Sequence, residues 1–122
     1  MGYGIALDGS SDDIYVTGES YATWQGDNNT SPSHPYTEGR DIVVLKLAGN
    51  GTYQWHTFYG SNDVGRGISI DTANDLYVAG YGGTTWQGDH DRNPLHPHSG
   101  QADIVVLKLA RPAFVYLPIV SR

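Results

Sequence analysis

The octapeptide DIVVLKLA occurs twice in this 122-residue chain, at 41–48 and at 103–110. It is a continuous apolar run rich in β-branched residues, which is typical of a strand covered on both faces. The two copies are identical and start 62 residues apart. A strand repeated in this way indicates that the chain contains two copies of one structural unit.

The duplication extends well beyond the octapeptide. GIALD at 4–8 has its counterpart in GISID at 67–71, and DIYVTG at 13–18 has its counterpart in DLYVAG at 75–80. The sequences TWQGD and HP also recur ahead of each octapeptide. Nearly the whole chain therefore consists of two copies of the same unit.

The repeat predicts one continuous region over residues 1–122. Copy 1 spans about 4–48 and copy 2 spans about 67–110, and residues 52–66 join them. The segment at 111–122 departs from the repeat and forms a divergent C-terminal tail, in which AFVYL at 113–117 predicts a further strand that ends before Pro118.

The composition favours an all-β fold. The chain has sixteen Gly together with many Asp, Asn, Ser and Thr, which are residues of turns rather than of helix interiors. Its net charge of −6, with no basic patch, argues against nucleic acid or an anionic membrane surface as a partner. The absence of cysteine excludes disulfides and thiolate chemistry. No apolar run is long enough for a membrane span, and the N-terminus does not have the pattern of a signal peptide.

Four strand-like runs make up one unit, in the order DIVVLKLA, YQWHTFYG, RGISID and DLYVAGY. Short turns separate them, which predicts a four-stranded antiparallel meander of the kind found in a β-propeller blade. With the octapeptide as first and innermost strand, the chain would begin in the third strand of a blade. We therefore expect two blade equivalents in permuted order: a half-blade, a full blade and a half-blade.

The repeat resembles the SBBP β-propeller repeat of large bacterial extracellular and surface proteins. The matching features are DIVVLKL, NGT, W-x-T-x-Y-G, D-x-G-x-G-I-x-x-D and the final Y-V-x-G. The resemblance covers about 90 of the 122 residues, and the passages at 20–40 and 82–102 are longer than the family pattern. It implies a propeller fold and an extracellular or cell-surface location. It implies no catalytic residues.

The two long passages, at 20–40 and 82–102, carry the candidate ligand-binding residues. Loops of this length in a compact domain are usually functional or disordered. Each passage contains WQGD, and a Trp beside an amide and a carboxylate can stack on a sugar ring and bind its hydroxyls. The candidates are Trp24, Gln25, Asp27, Trp86, Gln87 and Asp89. The alternative is that each Trp packs beneath its own passage and fills the gap between neighbouring blades.

His90, His96 and His98 are weak candidates for a metal site, because His is a common ligand of zinc and nickel. Copy 1 retains only His34 of this group, so we expect neither a metal site required by the fold nor a resident cofactor. The Asp-rich turns of both copies lack a complete calcium-loop pattern. We expect their side chains to hydrogen-bond the backbone instead.

These observations favour a non-enzymatic extracellular or cell-surface repeat module for adhesion, scaffolding or ligand binding, with a glycan or a protein as its ligand. No G-x-S-x-G elbow and no paired glutamates mark a catalytic site. The alternative is a fragment of a propeller hydrolase or lyase, because such sites are assembled from separate blades.

Two blades cannot close a ring within one chain. We therefore expect either a fragment of a larger propeller or head-to-tail assembly, in which each C-terminal half-blade completes the next chain's N-terminal one. Closure would favour trimers or tetramers. We also expect both long passages at one end of the sheets, with the turns GNGT and TAN at the other end.

Overall fold

The computed structural model describes residues 1–98, 100–110 and 115–121, the last of these for the backbone only. Over these residues the fold is all-β, as the composition predicts. Two short 3₁₀ turns lie at Asp27–Asn29 and Asp89–Asp91. The strands are β1 (Gly2–Leu7), β2 (Ile14–Ser20), β3 (Asp41–Leu47), β4 (Tyr53–Tyr59), β5 (Asp63–Ile70), β6 (Leu76–Gly82), β7 (Asp103–Ala110) and β8 (Val115–Ser121).

The strands form two four-stranded antiparallel sheets. Sheet 1 has the order β1-β2-β3-β4, and sheet 2 has the order β5-β6-β7-β8. Within each sheet, strands that are consecutive in the sequence pair with one another. The two copies of the repeat thus form two sheets of the same topology.

The predicted grouping of the strands is wrong. The octapeptide forms β3 and β7, the third strand of each sheet, and the break between sheets falls between β4 and β5. The permuted order of half-blade, full blade and half-blade does not occur, so completion of half-blades between chains is excluded as well. The segment at 60–62 is as short as a hairpin turn, but Gly60 (φ 110°) and Asn62 (φ 66°) lead the chain into the other sheet.

The tail does supply a further strand, as the sequence suggests. We expected it at 113–117, ending before Pro118, but β8 continues through Pro118, which pairs with Leu107. A register shift between Val106 and Leu107 accompanies this pairing, and a proline is tolerated in an edge strand. Residues 113 and 114 lie outside the described part of the chain.

The two sheets pack face to face, and we call the facing sides the inner faces. Residues paired across neighbouring strands share a face, so the ladder and the burial together define these surfaces. The inner face of sheet 1 carries the buried residues Tyr15, Thr17, Ile42, Val44 and Tyr59. The inner face of sheet 2 carries Leu76, Val78, Val105, Leu107 and Leu109, which are also buried. Together, and without Thr17, they form one hydrophobic core.

The outer faces, on the opposite sides of the sheets, are largely uncovered. On sheet 1 the outer face includes Ile5 and Leu7, which are 65% and 64% exposed. On sheet 2 it includes Ile104, which is 63% exposed. On β1, β2 and β3 the outer face of sheet 1 carries Ile5, Leu7, Ile14, Val16, Val43, Leu45 and Leu47, and on β4 it carries His56 and Phe58, which are buried. The outer face of sheet 2 includes Tyr77, Ala79, Tyr81, Ile104, Val106 and Lys108.

The predicted separation of loops between the two ends of the sheets is confirmed by the strand register. In sheet 1, Ser20 pairs with Asp41 where the first passage leaves and returns, whereas Ile14 pairs with Leu47 beside the GNGT turn. In sheet 2, Gly82 pairs with Asp103 at the second passage, and Leu76 lies beside the TAN turn. Both long passages therefore emerge at one end.

Candidate functional site

The two WQGD motifs fold into turns of nearly identical backbone geometry. In the first passage the Gly26 N–H donates to the Thr30 carbonyl over 2.8 Å, and in the second the Gly88 N–H donates to the Arg92 carbonyl over 2.8 Å. In both turns the second residue after the glycine has a left-handed backbone conformation, with φ of 59° at Asn28 and 58° at His90. The repeat therefore fixes the local fold of each motif, and differences between the sites arise from what surrounds them.

The first motif lies against the outer face of sheet 1. The Trp24 indole stacks on the imidazole of His56, with ring centroids 3.9 Å apart and an interplanar angle of 9°. Its edge contacts Phe58 at 5.8 Å. Trp24 remains 36% exposed, and the neighbouring Gln25 and Asp27 side chains are exposed. The indole therefore presents an accessible surface beside an amide and a carboxylate.

A buried histidine anchors this passage to β4. His56 is fully buried, its Nε2 lies 2.8 Å from the Trp24 carbonyl, and its Nδ1 lies 2.6 Å from the Tyr53 hydroxyl. Because a carbonyl only accepts, Nε2–H is the donor and Nδ1 accepts from Tyr53. Burial lowers the pKa of His56, which favours this neutral tautomer. The histidine thus holds Trp24 in place without carrying a charge.

The second motif lies in a different environment, at the seam between the sheets. Trp86 is half-buried and packs against the hydrophobic core. Its ring stacks on Tyr59 of sheet 1, with centroids 6.2 Å apart and an interplanar angle of 27°. Trp86 of the second copy therefore contacts the other sheet, whereas Trp24 stacks on a residue of its own sheet.

The seam also brings together three polar groups from separate elements. The Tyr59 hydroxyl lies 3.2 Å from each carboxylate oxygen of Asp89, to which it donates. His34 of the first passage stacks on Tyr59 at 4.4 Å, and its Nε2 lies 3.9 Å from Asp89. The His34 Nδ1 lies 2.7 Å from the Phe58 carbonyl. This His34–Tyr59–Asp89 cluster ties the two passages together at the loop end of the seam.

The six predicted site residues thus fall into two places rather than one. Trp24, Gln25 and Asp27 lie on the open side of sheet 1, whereas Trp86 and Asp89 lie at the seam. Gln87 is exposed, and its amide donates to the Asn93 side chain over 2.7 Å. Ligand binding by these residues stays a prediction.

The weak metal candidates do not converge in the described residues. His98 lies 3.4 Å from the Asp103 carboxylate, while His90 and His96 are exposed. Over 1–98, 100–110 and the β8 strand, no group of three or more potential ligands has a spacing suited to a metal ion.

The Asp-rich turns have the predicted hairpin role. The Asp8 carboxylate accepts hydrogen bonds from the backbone N–H and the hydroxyl of Ser10, at 2.9 and 2.8 Å. These bonds lower the pKa of Asp8. The Asp71 carboxylate accepts from the backbone N–H groups of Ala73 and Asp75, at 2.9 and 3.0 Å.

One buried acid at the seam was not predicted from the sequence. Asp63, the first residue of β5, is fully buried, and neither carboxyl oxygen receives a hydrogen bond of ordinary geometry from a described residue. Burial raises its pKa to about 7, although the Trp86 side chain nearby acts in the opposite direction. Asp41, also fully buried, lies at the same end and accepts hydrogen bonds from the N–H and hydroxyl of Thr37. A run such as GSNDVG gives no sign that its Asp is buried rather than exposed in a turn.

No family model matches the chain, and no curated protein matches it either. Among the described residues, no helix has the length and hydropathy required to cross a membrane.

Proposed function

We propose that this chain is a non-enzymatic repeat module of the β-propeller type, in which each sheet is one blade and the assembled blades act as an extracellular or cell-surface scaffold. Support for blades comes from the two four-stranded meanders, which pack face to face with β5 of sheet 2 against β1, β2 and β3 of sheet 1. The SBBP-like repeat and the location it implies belong to the same proposal.

The scaffold role is carried by one observation, the distribution of sequence differences between the two copies. The strands are nearly the same in both copies, and the long passages differ. The octapeptides are identical, and the strands before them differ only conservatively, as in DIYVTG and DLYVAG. The passages, in contrast, diverge after WQGD into NNTSPSHPYTEGR and HDRNPLHPHSGQA. Repeat proteins typically place variable insertions on one binding face. The end bearing both passages is therefore the surface through which this module would contact a ligand.

A carbohydrate is the ligand that the exposed first motif favours. One side of the Trp24 ring is occupied by His56, and the remaining surface adjoins the exposed Gln25 and Asp27. A rigid aromatic surface stacks on the apolar face of a sugar ring, while an amide and a carboxylate bind its hydroxyls. The hydrolase or lyase alternative rests on the His34–Tyr59–Asp89 cluster alone, whose groups are held by hydrogen bonds within the fold.

Glycan-array screening of the purified chain tests the binding role. We expect weak glycan binding that is lost in Trp24→Ala and reduced in Gln25→Ala. Tyr21→Ala is the matched control, because Tyr21 is a 69% exposed aromatic residue of the same passage but is not part of the WQGD motif. Equal binding by the Trp24→Ala and Tyr21→Ala variants, or no binding by the wild-type chain at a concentration where it is monomeric, would contradict the carbohydrate proposal.

The scaffold role is tested by location. Protease treatment of intact cells that produce the protein should remove it while a cytoplasmic marker is retained. Protection of the protein until the cells are lysed would argue against a surface scaffold.

A further inference from the structure

The outer face of sheet 1 is the repeat counterpart of the buried inner face of sheet 2. Aligning the two copies matches each apolar residue of the one with an apolar residue of the other. The pairs are Ile5 with Ile68, Leu7 with Ile70, Ile14 with Leu76, Val16 with Val78, Val43 with Val105, Leu45 with Leu107 and Leu47 with Leu109. One member of each pair is packed in or against the core, and the other lies on an uncovered surface.

The converse holds for the remaining two faces. The outer face of sheet 2 is the counterpart of the buried inner face of sheet 1. The identical pairs are Tyr77 with Tyr15, Ile104 with Ile42, Val106 with Val44 and Lys108 with Lys46. Each chain therefore contains one completed contact between the two kinds of face, and it exposes one unused face of each kind.

A groove of about 200 Å³ marks where the contact would be made on sheet 1. Its walls include Val16, Val43, Leu45 and Trp24. Three of their counterparts, Val78, Val105 and Leu107, belong to the hydrophobic core that also contains Ile42 and Val44, and the fourth, Trp86, packs against this core. The residues that correspond to Ile42 and Val44 are Ile104 and Val106, on the outer face of sheet 2.

The outer face of sheet 2 already has the conformation of its buried counterpart. On sheet 1, Lys46 Nζ lies 3.3 Å from Asp13 and 5.6 Å from the centroid of the Tyr15 ring. On sheet 2, Lys108 Nζ lies 3.4 Å from Asp75 and 5.6 Å from the centroid of the Tyr77 ring. This agreement means that docking would require little reorganisation, which favours affinity.

We infer that the outer face of sheet 1 is the docking site for a second copy of this chain, which would place its own sheet 2 outer face there. Ile104 of the second copy would enter the groove beside Trp24, because its counterpart Ile42 belongs to the core against which Trp86 packs. By the same equivalence, the seam contact between His34 and Asp89 would recur between His96 of the second copy and Asp27. Both side chains are exposed in the single chain.

This inference names the partner within the proposed scaffold role. The contact joins two different faces, so it either closes into a ring or continues as a filament. Each chain contributes two sheets, so a closed ring has an even number of sheets. Trimers or tetramers, with six or eight sheets, fit this rule. Because the second copy would cover Trp24, assembly and glycan binding compete for the same groove.

Two variants, each with one damaged face, test the inference. Ile5→Glu places a carboxylate on the outer face of sheet 1, and Ile104→Glu places one on the outer face of sheet 2. Burying an unpaired charge is costly, so each variant alone should be a monomer by sedimentation and light scattering, whereas the wild-type chain should be oligomeric. Leu95→Glu is the control, because Leu95 is 69% exposed but lies in the second passage.

Mixing the two variants gives the decisive result. The intact sheet 2 face of Ile5→Glu can still meet the intact sheet 1 face of Ile104→Glu, so the mixture should form a 1:1 dimer that grows no further. Circular dichroism checks that both variants are folded. A monomeric wild-type chain at high concentration, or a mixture that stays monomeric while the wild type assembles, would overturn the inference. Glycan binding retained by monomeric Ile104→Glu would show that such a failure leaves the binding role intact.

Discussion

The two copies of the octapeptide have the same sequence but bury opposite faces. In β3, Ile42 and Val44 are fully buried, while the residues between and after them are half-exposed. In β7, Val105, Leu107 and Leu109 are buried, and Ile104, the counterpart of Ile42, is 63% exposed. Identical residues with identical strand geometry thus have different burial, because the other sheet lies on different sides of the two strands.

This difference shows that the octapeptide is suited to contacts on both faces. Alternation in a half-buried strand normally makes one face apolar and the other polar. Here both faces of the repeat are apolar, and a single chain covers only one face of each copy. The comparison predicts that equivalent substitutions in the two copies have unequal effects wherever the inner faces are involved.

The largest inequality is expected for the first isoleucine of the octapeptide. Ile42→Ala removes buried methyl groups from the core and should lower the free energy of unfolding by about 2–5 kcal/mol. Ile104→Ala, on an exposed surface, should change it by less than about 0.5 kcal/mol. Urea denaturation of both variants at low protein concentration, where assembly does not contribute, measures the difference. Equal effects would mean that the two sheets do not pack as described.

The second prediction concerns Asp63, the buried acid at the seam between the sheets. The pKa of Asp63 is raised to about 7, so the folded protein keeps a proton that the unfolded chain loses above its ordinary pKa near 3.8. The free energy of unfolding should therefore fall by up to about 4 kcal/mol as the pH rises from the ordinary pKa to the raised one. Above about pH 7 it should level off. Asp63→Asn cannot ionise, so it should gain stability relative to the wild type between pH 4 and pH 8.

Thermal unfolding at both pH values provides the measurement for Asp63. His56 titrates in both proteins, so its contribution cancels in the difference between variant and wild type. Because the charge of Asp41 also raises the pKa of Asp63, the difference reports Asp63 together with its interaction with Asp41. Asp103→Asn is the control, because Asp103 is the first residue of β7 as Asp63 is of β5, but its side chain is only half-buried. If the difference between Asp63→Asn and the wild type were independent of pH, Asp63 would not be buried at the seam.

A smaller inequality is expected for a pair of equivalent glycines. A Cβ at Gly65 would lie 2.2 Å from the Thr17 hydroxyl oxygen and 3.0 Å from an Ile42 methyl carbon, both on sheet 1. A Cβ at Gly2, its repeat counterpart, would meet only Val16, at 3.4 Å. Gly65→Ala should therefore cost about 1–3 kcal/mol through overpacking, and Gly2→Ala should be nearly neutral. Denaturation midpoints of the two variants compare them directly, and a neutral Gly65→Ala would indicate a looser seam.

The smallest effect is expected for Lys46 and Lys108, whose ion pairs should contribute equally to stability in the two copies. Lys46 and Lys108 make matching ion pairs with Asp13 and Asp75, at 3.3 and 3.4 Å. Such partly exposed pairs contribute about 0–1 kcal/mol, so Lys46→Gln and Lys108→Gln should cost similar small amounts in the single chain. Under assembling conditions Lys108→Gln should also weaken association. If Lys46→Gln lowered the free energy of unfolding several times more than Lys108→Gln, the two ion pairs would not be equivalent.

Much of the fold could be predicted from the sequence. The abundance of turn residues predicts the all-β class, and the repeat predicts two equivalent units with the long passages at one end. The boundary of each sheet could not be predicted, because the segment at 60–62 between β4 and β5 is as short as a hairpin turn. A hairpin signal specifies a reversal of direction, but it does not specify whether the next strand joins the same sheet.

The candidate site was predictable only in part. WQGD marks the correct turns, but it cannot show that Trp24 stacks on His56 while Trp86 packs against Tyr59. Both contacts join residues about 30 positions apart in the sequence, and that of Trp86 also depends on how the two sheets are placed. The alternation of YQWHTFYG does place His56 and Phe58 on one face and Thr57 and Tyr59 on the other, and this is the signal that could have indicated a buried histidine.

The most direct test of the account is the solvent accessibility of the isoleucine methyl groups, measured by NMR with a soluble paramagnetic probe. The Ile42 methyl should be protected at every protein concentration. The Ile104 methyl should be accessible in the monomeric Ile5→Glu variant and become protected in the wild-type chain as its concentration rises. Protection of Ile104 in the Ile5→Glu monomer, or access to Ile42 in any folded state, would contradict the claim that the neighbouring sheet determines which face of the repeat is buried.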